Sequence, residues 1–202
     1  KVRIYNRALS AGELSDLYNL EKATLTLENG LVAYYPFNGN ANDESGNGNN
    51  GTVNGATLTT DRNGNADSAY SFDGNDDFID AGNRDEFNFG TGDFAINAWI
   101  RIPGNAPTNR YIISKYHPQN NPNGSFALGT AGRNRLYPFI RDSNARAFEG
   151  RTNLALDQWH MVTAVFDRDN NVTLYADGVE DGTLDISMIG GSLGNSYPLL
   201  IG

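Results

Sequence analysis

Two loops of this sequence are rich in residues that can bind a cation. Asp43 and Asn47 lie in the first loop, and Asp73, Asp76 and Asp77 lie in the second. Calcium takes about six to eight oxygen ligands, and two such loops folded close together could provide many of them. Close packing of carboxylates is also unfavourable unless solvent or a cation relieves the repulsion. These five residues are therefore candidate calcium ligands, although Asx side chains in loops also cap backbone amides.

Catalytic spacings are missing from the sequence. Two carboxyl groups that cleave a glycosidic bond from one strand must be two or four residues apart to share a face. None of the glutamates is followed at that spacing by an acid in a predicted strand. Residues 190–194 match the nucleophile-elbow pattern, but no acid or histidine follows them, as the triad requires. We predict that the chain is not an enzyme.

Composition narrows the choice of partners. The formal net charge of −9 argues against nucleic acid, whose phosphates need a basic surface, and suits a divalent cation. The chain has two histidines and no cysteine, so a zinc site is not expected. No uninterrupted apolar run approaches the roughly 20 residues of a membrane span. Sugar binding would use exposed aromatic rings flanked by polar groups. The candidates are Tyr111, Tyr116, Tyr137 and Arg141.

These residues must be positioned by many short strands. Apolar residues alternate with a period of two from residue 31 onward, most clearly over residues 94–102, and Asp177-Gly178 is typical of a hairpin. Before them, Ser10 and Glu13 form a capping box that predicts a short helix over about residues 10–19. The expected fold is all-β, a two-sheet antiparallel jelly-roll sandwich with one short N-terminal helix.

Six segments of the sequence resemble the laminin G-like group of the concanavalin A-like lectin and glucanase superfamily, in the variety of bacterial secreted proteins. They are residues 30–37, 43–51, 69–74, 94–99, 159–162 and 174–178. The resemblance covers about residues 30–202 and implies the sandwich fold. The loop of residues 116–124 also resembles, by its place between strands, a loop that gives pentraxins part of a calcium-dependent site. That resemblance makes Asn120, Asn121 and Asn123 candidate ligand-binding residues of half a site, because the loop that supplies the other ligands in pentraxins is absent here; the alternative is a plain surface loop.

The order of the elements departs from the family. Its domains normally close with a strand and helix that resemble residues 2–10, whereas here that element comes first. We therefore divide the chain into residues 1–29, a closing strand and helix, and residues 30–202, the sandwich. The first segment is either the tail of a preceding repeat or a strand that fills a gap within the chain or in a neighbour. Val2, Ile4 and Tyr5 are the expected assembly residues, since an unfilled gap would expose backbone groups.

Two functions are consistent with this interpretation of the sequence. The first is a non-catalytic extracellular structural or adhesive repeat, assembled with neighbouring copies through the N-terminal strand and stabilised by calcium. The alternative is a carbohydrate-binding module of a secreted polysaccharide-degrading enzyme. Both place the protein outside the cell or on the surface of a bacterium, with no membrane span and no nucleic-acid partner.

Overall fold

The structure, a computed structural model, describes residues 1–20, 29–104, 109–116 and 123–202. In this part of the chain no helix has the length and apolar character needed to cross a membrane. The described residues form antiparallel sheets and one α-helix, α1 (Ala11–Leu20). The predicted all-β sandwich with a short N-terminal helix is therefore confirmed.

The strands of the first sheet come from both ends of the sequence. In spatial order the six strands are β14 (Val179–Asp185), β13 (Asn171–Ala176), β12 (Trp159–Phe166), β7 (Phe94–Arg101), β1 (Val2–Tyr5) and β2 (Leu31–Tyr35). The N-terminal strand β1 thus lies between β2 and β7 of its own chain, with Ile4 opposite Ala33 on one side and Ile96 on the other. Exchange of this strand between neighbouring copies stays a prediction.

The second sheet has seven strands. In order they are β11 (Ala145–Ala147), β10 (Arg135–Arg141), β9 (Ser125–Ala131), β8 (Arg110–Lys115), β15 (Leu200–Ile201), β6 (Phe78–Asp80) and β3 (Thr52–Asn54). Two further strands, β4 (Thr57–Thr59) and β5 (Ala69–Ser71), pair only with each other among the described residues. Residue 138, a proline, is tolerated inside β10 because the pairing with β11 begins only at Phe139.

The main core lies between the two large sheets and is rich in aromatic rings. Phe94 stacks on Phe166 with ring centroids 4.3 Å apart and on Phe89 at 4.4 Å. Phe126 of the opposite sheet contacts Phe94 at 4.9 Å. Side chains that alternate along each strand supply this layer, so one face of every long strand is apolar.

A second apolar layer covers the outer face of the six-stranded sheet. Leu14 and Leu17 of α1 pack with Tyr5, Met161 and other residues of β1, β7 and β12. The helix begins as predicted, since the Glu13 carboxylate accepts from the Ser10 amide at 2.8 Å and the Glu13 amide donates to the Ser10 hydroxyl at 3.3 Å. Because β7 is covered on both faces, its sequence is apolar at nearly every position.

One buried lysine joins three segments at the end of β8. Lys115 is fully buried, and its ammonium group donates to Asn83 Oδ1 at 2.7 Å and to the Tyr197 carbonyl at 2.6 Å. Burial lowers the pKa of Lys115 from 10.5 to about 8, because desolvation disfavours the charged form. The folded protein therefore releases a proton at a lower pH than the unfolded chain does.

This shift predicts a pH-dependent stability. Below pH 8 the lysine is charged in both states and its burial destabilises the fold. Between pH 8 and 10.5 the unfolded chain binds more protons, so the free energy of unfolding should rise with pH by about 1 kcal/mol per unit. Urea denaturation at pH 8.5 and 9.5 measures the rise. In Lys115→Met the Lys115 contribution should be missing, and an equal slope in both proteins would contradict this explanation.

Candidate functional site

The outer face of the seven-stranded sheet has large side chains on two strands and small ones on the strand between them. On β9 the outward positions are Ser125, Ala127 and Gly129, all buried. Their partners on β10 are Arg141, Phe139 and Tyr137 respectively. Outward direction follows from alternation, because the intervening Leu136 and Ile140 belong to the core. The small residues form the floor beneath larger neighbours.

Four aromatic residues lie over this floor, and we call them the aromatic platform: Tyr111, Tyr116, Tyr137 and Phe139. The Tyr116 ring contacts Tyr111 at a centroid distance of 5.7 Å and Phe139 at 5.1 Å. Tyr111 and Tyr137 are both register partners of Gly129, one from each side. Burial raises the pKa of Tyr111, with smaller contributions from Tyr116 and Tyr137. The rings of Tyr111, Tyr116 and Phe139 therefore form one continuous surface, and Tyr137 lies opposite Tyr111 across Gly129.

Gly129 is required where the platform meets β8. The register of β8 against β9 shifts between Tyr111 and Ile113, which brings the Arg110 carbonyl oxygen against the Gly129 α-carbon. A Cβ atom at position 129 would lie closer to that oxygen than any normal van der Waals contact. The bulge turns Tyr111 onto the outer face, and bulges commonly re-aim a side chain in this way.

Arg141 borders the platform without an acidic partner. Its side chain is partly buried, its Nε atom is enclosed, and no described residue forms a hydrogen bond or an ion pair with it. Arg135, at the other end of β10, differs. It donates to Asn153 Oδ1 at 2.9 Å and lies 3.8 Å from the Glu149 carboxylate. An arginine that lacks such partners retains its donors for another group.

Four of the candidates for sugar binding thus lie on one face: Tyr111, Tyr116, Tyr137 and Arg141. Asn123 is exposed in the segment before β9, and Asn120 and Asn121 lie outside the described residues. Sequence reasoning missed Phe139 as a member of the surface. The signal was present in β10, where arginine and aromatic residues occupy every second position from 135 to 141.

The predicted calcium ligands fall into two groups. Carboxylate oxygens of Asp73, Asp76 and Asp77 lie within 4.8 Å of one another in the second loop. Asp73 already accepts from the amides of Asn75 and Asp76, and hydrogen bonds led by that from Asn75 lower its pKa. The three residues could supply part of a calcium shell, and calcium binding at this cluster stays a prediction.

Asp43 and Asn47 in the first loop form hydrogen bonds with nearby backbone groups. Asp43 Oδ1 accepts from the amides of Tyr34 and Ser45, and Oδ2 accepts from the amide of Asn49, each at 2.9 Å. The Asn47 side-chain amide donates to the Leu31 carbonyl at 3.0 Å and to the Val32 carbonyl at 2.9 Å. Asp43 is not part of the carboxylate cluster of the second loop. These hydrogen bonds hold the first loop against β2, and calcium binding by Asp43 and Asn47 stays a prediction.

Solved structures with the same fold include receptor- and ligand-binding domains of bacterial toxins. The binding domain of Paraclostridial Mosquitocidal Protein 1 matches with a TM-score of 0.62 and 16% identity, over 79% of this chain and 41% of that one. The ligand-binding domain of botulinum neurotoxin serotype D, in complex with N-acetylneuraminic acid, matches with a TM-score of 0.59 and 16% identity, over 80% and 39%. This chain spans about two fifths of their length. At this identity the similarity concerns the fold alone.

Sequence comparison assigns the family. No curated protein matches the chain. The sequence model of one family, described as the concanavalin A-like lectin/glucanases superfamily, matches residues 73–202. That range is more than half of the chain, and it agrees with the two-sheet fold and with the laminin G-like resemblance of the sequence. The chain therefore belongs to the concanavalin A-like lectin/glucanases superfamily.

Proposed function

We propose that this chain is a non-catalytic, extracellular glycan-binding module and that the aromatic platform is its binding surface. The observation that carries the proposal is the contact of Tyr116 with both Tyr111 and Phe139, which joins the rings into one surface. Aromatic faces stack on the apolar C–H faces of sugar rings, and phenolic hydroxyls hydrogen-bond their edges. Strands hold Tyr111, Tyr137 and Phe139, so little side-chain entropy is lost when these rings bind a ligand.

Two further observations support this function. Tyr111 is 39% exposed although it lies within a sheet, so part of its ring is open to a ligand. The similar toxin domains are themselves described as binding domains, and one of them was solved with N-acetylneuraminic acid. No pair of carboxylates at catalytic spacing was found in the sequence. Turnover of a polysaccharide by this chain would contradict the non-catalytic assignment.

The experiment compares two tyrosines of similar exposure. Tyr111 is 39% exposed on the platform, and Tyr18 is 43% exposed on α1, near Trp99 on the other sheet. Glycan-array screening of the native protein identifies a ligand, and isothermal titration calorimetry measures its affinity. We expect Tyr111→Ala to weaken binding about tenfold, the equivalent of roughly 1.4 kcal/mol. Tyr18→Ala should leave the affinity unchanged, and equal losses in both variants would contradict the assignment of the surface.

A second function, a structural repeat assembled through β1, is favoured by a different observation. β1 is a central strand whose apolar side chains are buried on both faces of its sheet. Whichever chain supplies this strand is therefore bound tightly to the sandwich. Calcium at Asp73, Asp76 and Asp77 belongs to the same proposal as a stabilising ion. Titration of the native protein with calcium alone tests whether this ion binds. The control is the variant in which the three aspartates are replaced by asparagine.

A further inference from the structure

Charge is distributed very unevenly between the strands of the platform and the rest of the protein. Residues 110–147, which form β8 to β11, contain six of the 15 basic residues and one of the 24 acidic residues. Their formal charge is therefore +5, whereas the remainder of the chain carries −14. The aromatic platform lies on this positive segment of an otherwise acidic protein. Such a local reversal of charge favours the approach of anions to these strands over the rest of the protein.

The one acid of this segment, Asp142, and the next acid in sequence, Glu149, already interact with other groups. The Asp142 carboxylate accepts from the backbone amides of Asn144 and Gly191, each at 2.7 Å. Glu149 lies beside Arg135. Neither forms an ion pair with Arg141. Arg141 thus remains a cation without a protein counter-charge among the described residues, with its Nε enclosed beside the platform.

From this arrangement, and resting on the proposed function, we infer that the platform binds an anionic glycan, whose sugar rings stack on the aromatic residues while Arg141 pairs with a carboxylate or sulfate group. Guanidinium presents parallel N–H donors that match both groups. Arg141 is already partly desolvated in the folded protein, so a smaller desolvation free energy opposes its pairing with the anion. A neutral glycan would stack on the same rings but would leave Arg141 without an acceptor.

The test uses probes with the same galactose-type ring and different substituents: a carboxylate, its neutral methyl ester, or a sulfate. A galacturonate trisaccharide, its methyl ester and a sulfated galactose trisaccharide are titrated calorimetrically into the native protein. We expect at least one of the two anionic probes to bind ten times or more tighter than the ester, with an affinity that falls as salt is added. The relative affinities of the carboxylated and sulfated probes show which anionic group Arg141 prefers.

Two substitutions each remove one positive charge, at different positions of the positive segment. Arg141→Gln should reduce affinity for the anionic probe about tenfold and leave affinity for the ester unchanged. Arg146→Gln is the matched control, because Arg146 belongs to the same positive segment. Arg146 is the register partner of Ile140, a core residue, and register partners share a face of the sheet. Arg146 is therefore not on the platform face. Equal losses in the two variants would overturn the inference, since they would indicate attraction by net charge without a specific contact.

The outcomes also separate this inference from the proposed function. Equal affinity for the ester and the acid, lost in Tyr111→Ala, would overturn the anionic ligand and retain a glycan-binding platform. Anionic binding that Tyr111→Ala does not change would overturn both, because the rings would then take no part. Binding lost in Tyr111→Ala and in Arg141→Gln, but retained in Arg146→Gln, is the result that we expect.

Discussion

Deletion of residues 1–9 should abolish the cooperative unfolding transition of this protein. The deletion removes β1 from the centre of a six-stranded sheet and separates β2 from β7. Val2, Ile4 and Tyr5 are 3%, 0% and 0% exposed, and the loss of one such side chain costs about 2–5 kcal/mol. The sum approaches or exceeds the roughly 5–15 kcal/mol that stabilises a typical domain. Thermal denaturation followed by circular dichroism measures the effect.

A milder variant and a peptide sharpen this test. Ile4→Ala should lower the free energy of unfolding by about 2–5 kcal/mol, whereas Leu58→Ala, on a partly exposed position of β4, should change it by less than about 1 kcal/mol. A synthetic peptide of residues 1–9 should restore the fold of the deletion variant, because it supplies the missing strand β1. A deletion variant that melts like the native protein would show that β1 contributes little.

Replacement of Arg168 by methionine should destabilise the protein by about 3–5 kcal/mol. Arg168 is 3% exposed, and its guanidinium donates to the carbonyls of Gly90 at 3.1 Å, Ile189 at 2.5 Å and Gly191 at 2.7 Å. Methionine fills much of the volume but removes the donors of the Ile189 and Gly191 carbonyls, at a cost of about 1–3 kcal/mol each, whereas the Gly90 carbonyl still accepts from the Leu193 amide. Chemical denaturation measures the loss.

The control for this prediction is an arginine on the surface. Arg151 is exposed, and among the described residues its side chain forms no hydrogen bond. Arg151→Met should change the free energy of unfolding by less than about 0.5 kcal/mol. Arg168→Lys adds a further distinction, because a single ammonium group cannot reach three carbonyls in the geometry of the guanidinium fork. We expect it to recover only part of the loss, and full recovery would indicate that charge alone matters.

The elements that were predictable from sequence are those determined by local signals. The capping box at Ser10 and Glu13 gave α1 to within one residue at each end, and the apolar run at residues 94–102 gave β7. The short edge strand β3 lies within a segment of Asn, Gly and Thr. It forms only because β6, more than twenty residues later, offers a partner. Long-range pairing of that kind leaves no pattern in the strand itself.

The candidate site shows the same limit. Tyr116, Tyr137 and Arg141 were identifiable by residue type, but their common face depends on the register of β8, β9 and β10. Asp43 and Asp73 occur in similar Asx-rich loops, and sequence alone does not distinguish a carboxylate that caps amides from one that is available to a cation. Asp43 caps three amides, and only the fold shows where those amides lie.

The position of β1 between β2 and β7 has a consequence for how the protein folds. Ile4 must find Ile96, so β1 leaves the ribosome several seconds before its partner β7, at roughly 5–20 residues per second. Closing so long a loop is entropically slow, and the half-formed sheet then exposes two unsatisfied edges. During that interval a β1 strand from another nascent chain competes for the same gap, and local chain concentration decides which one enters.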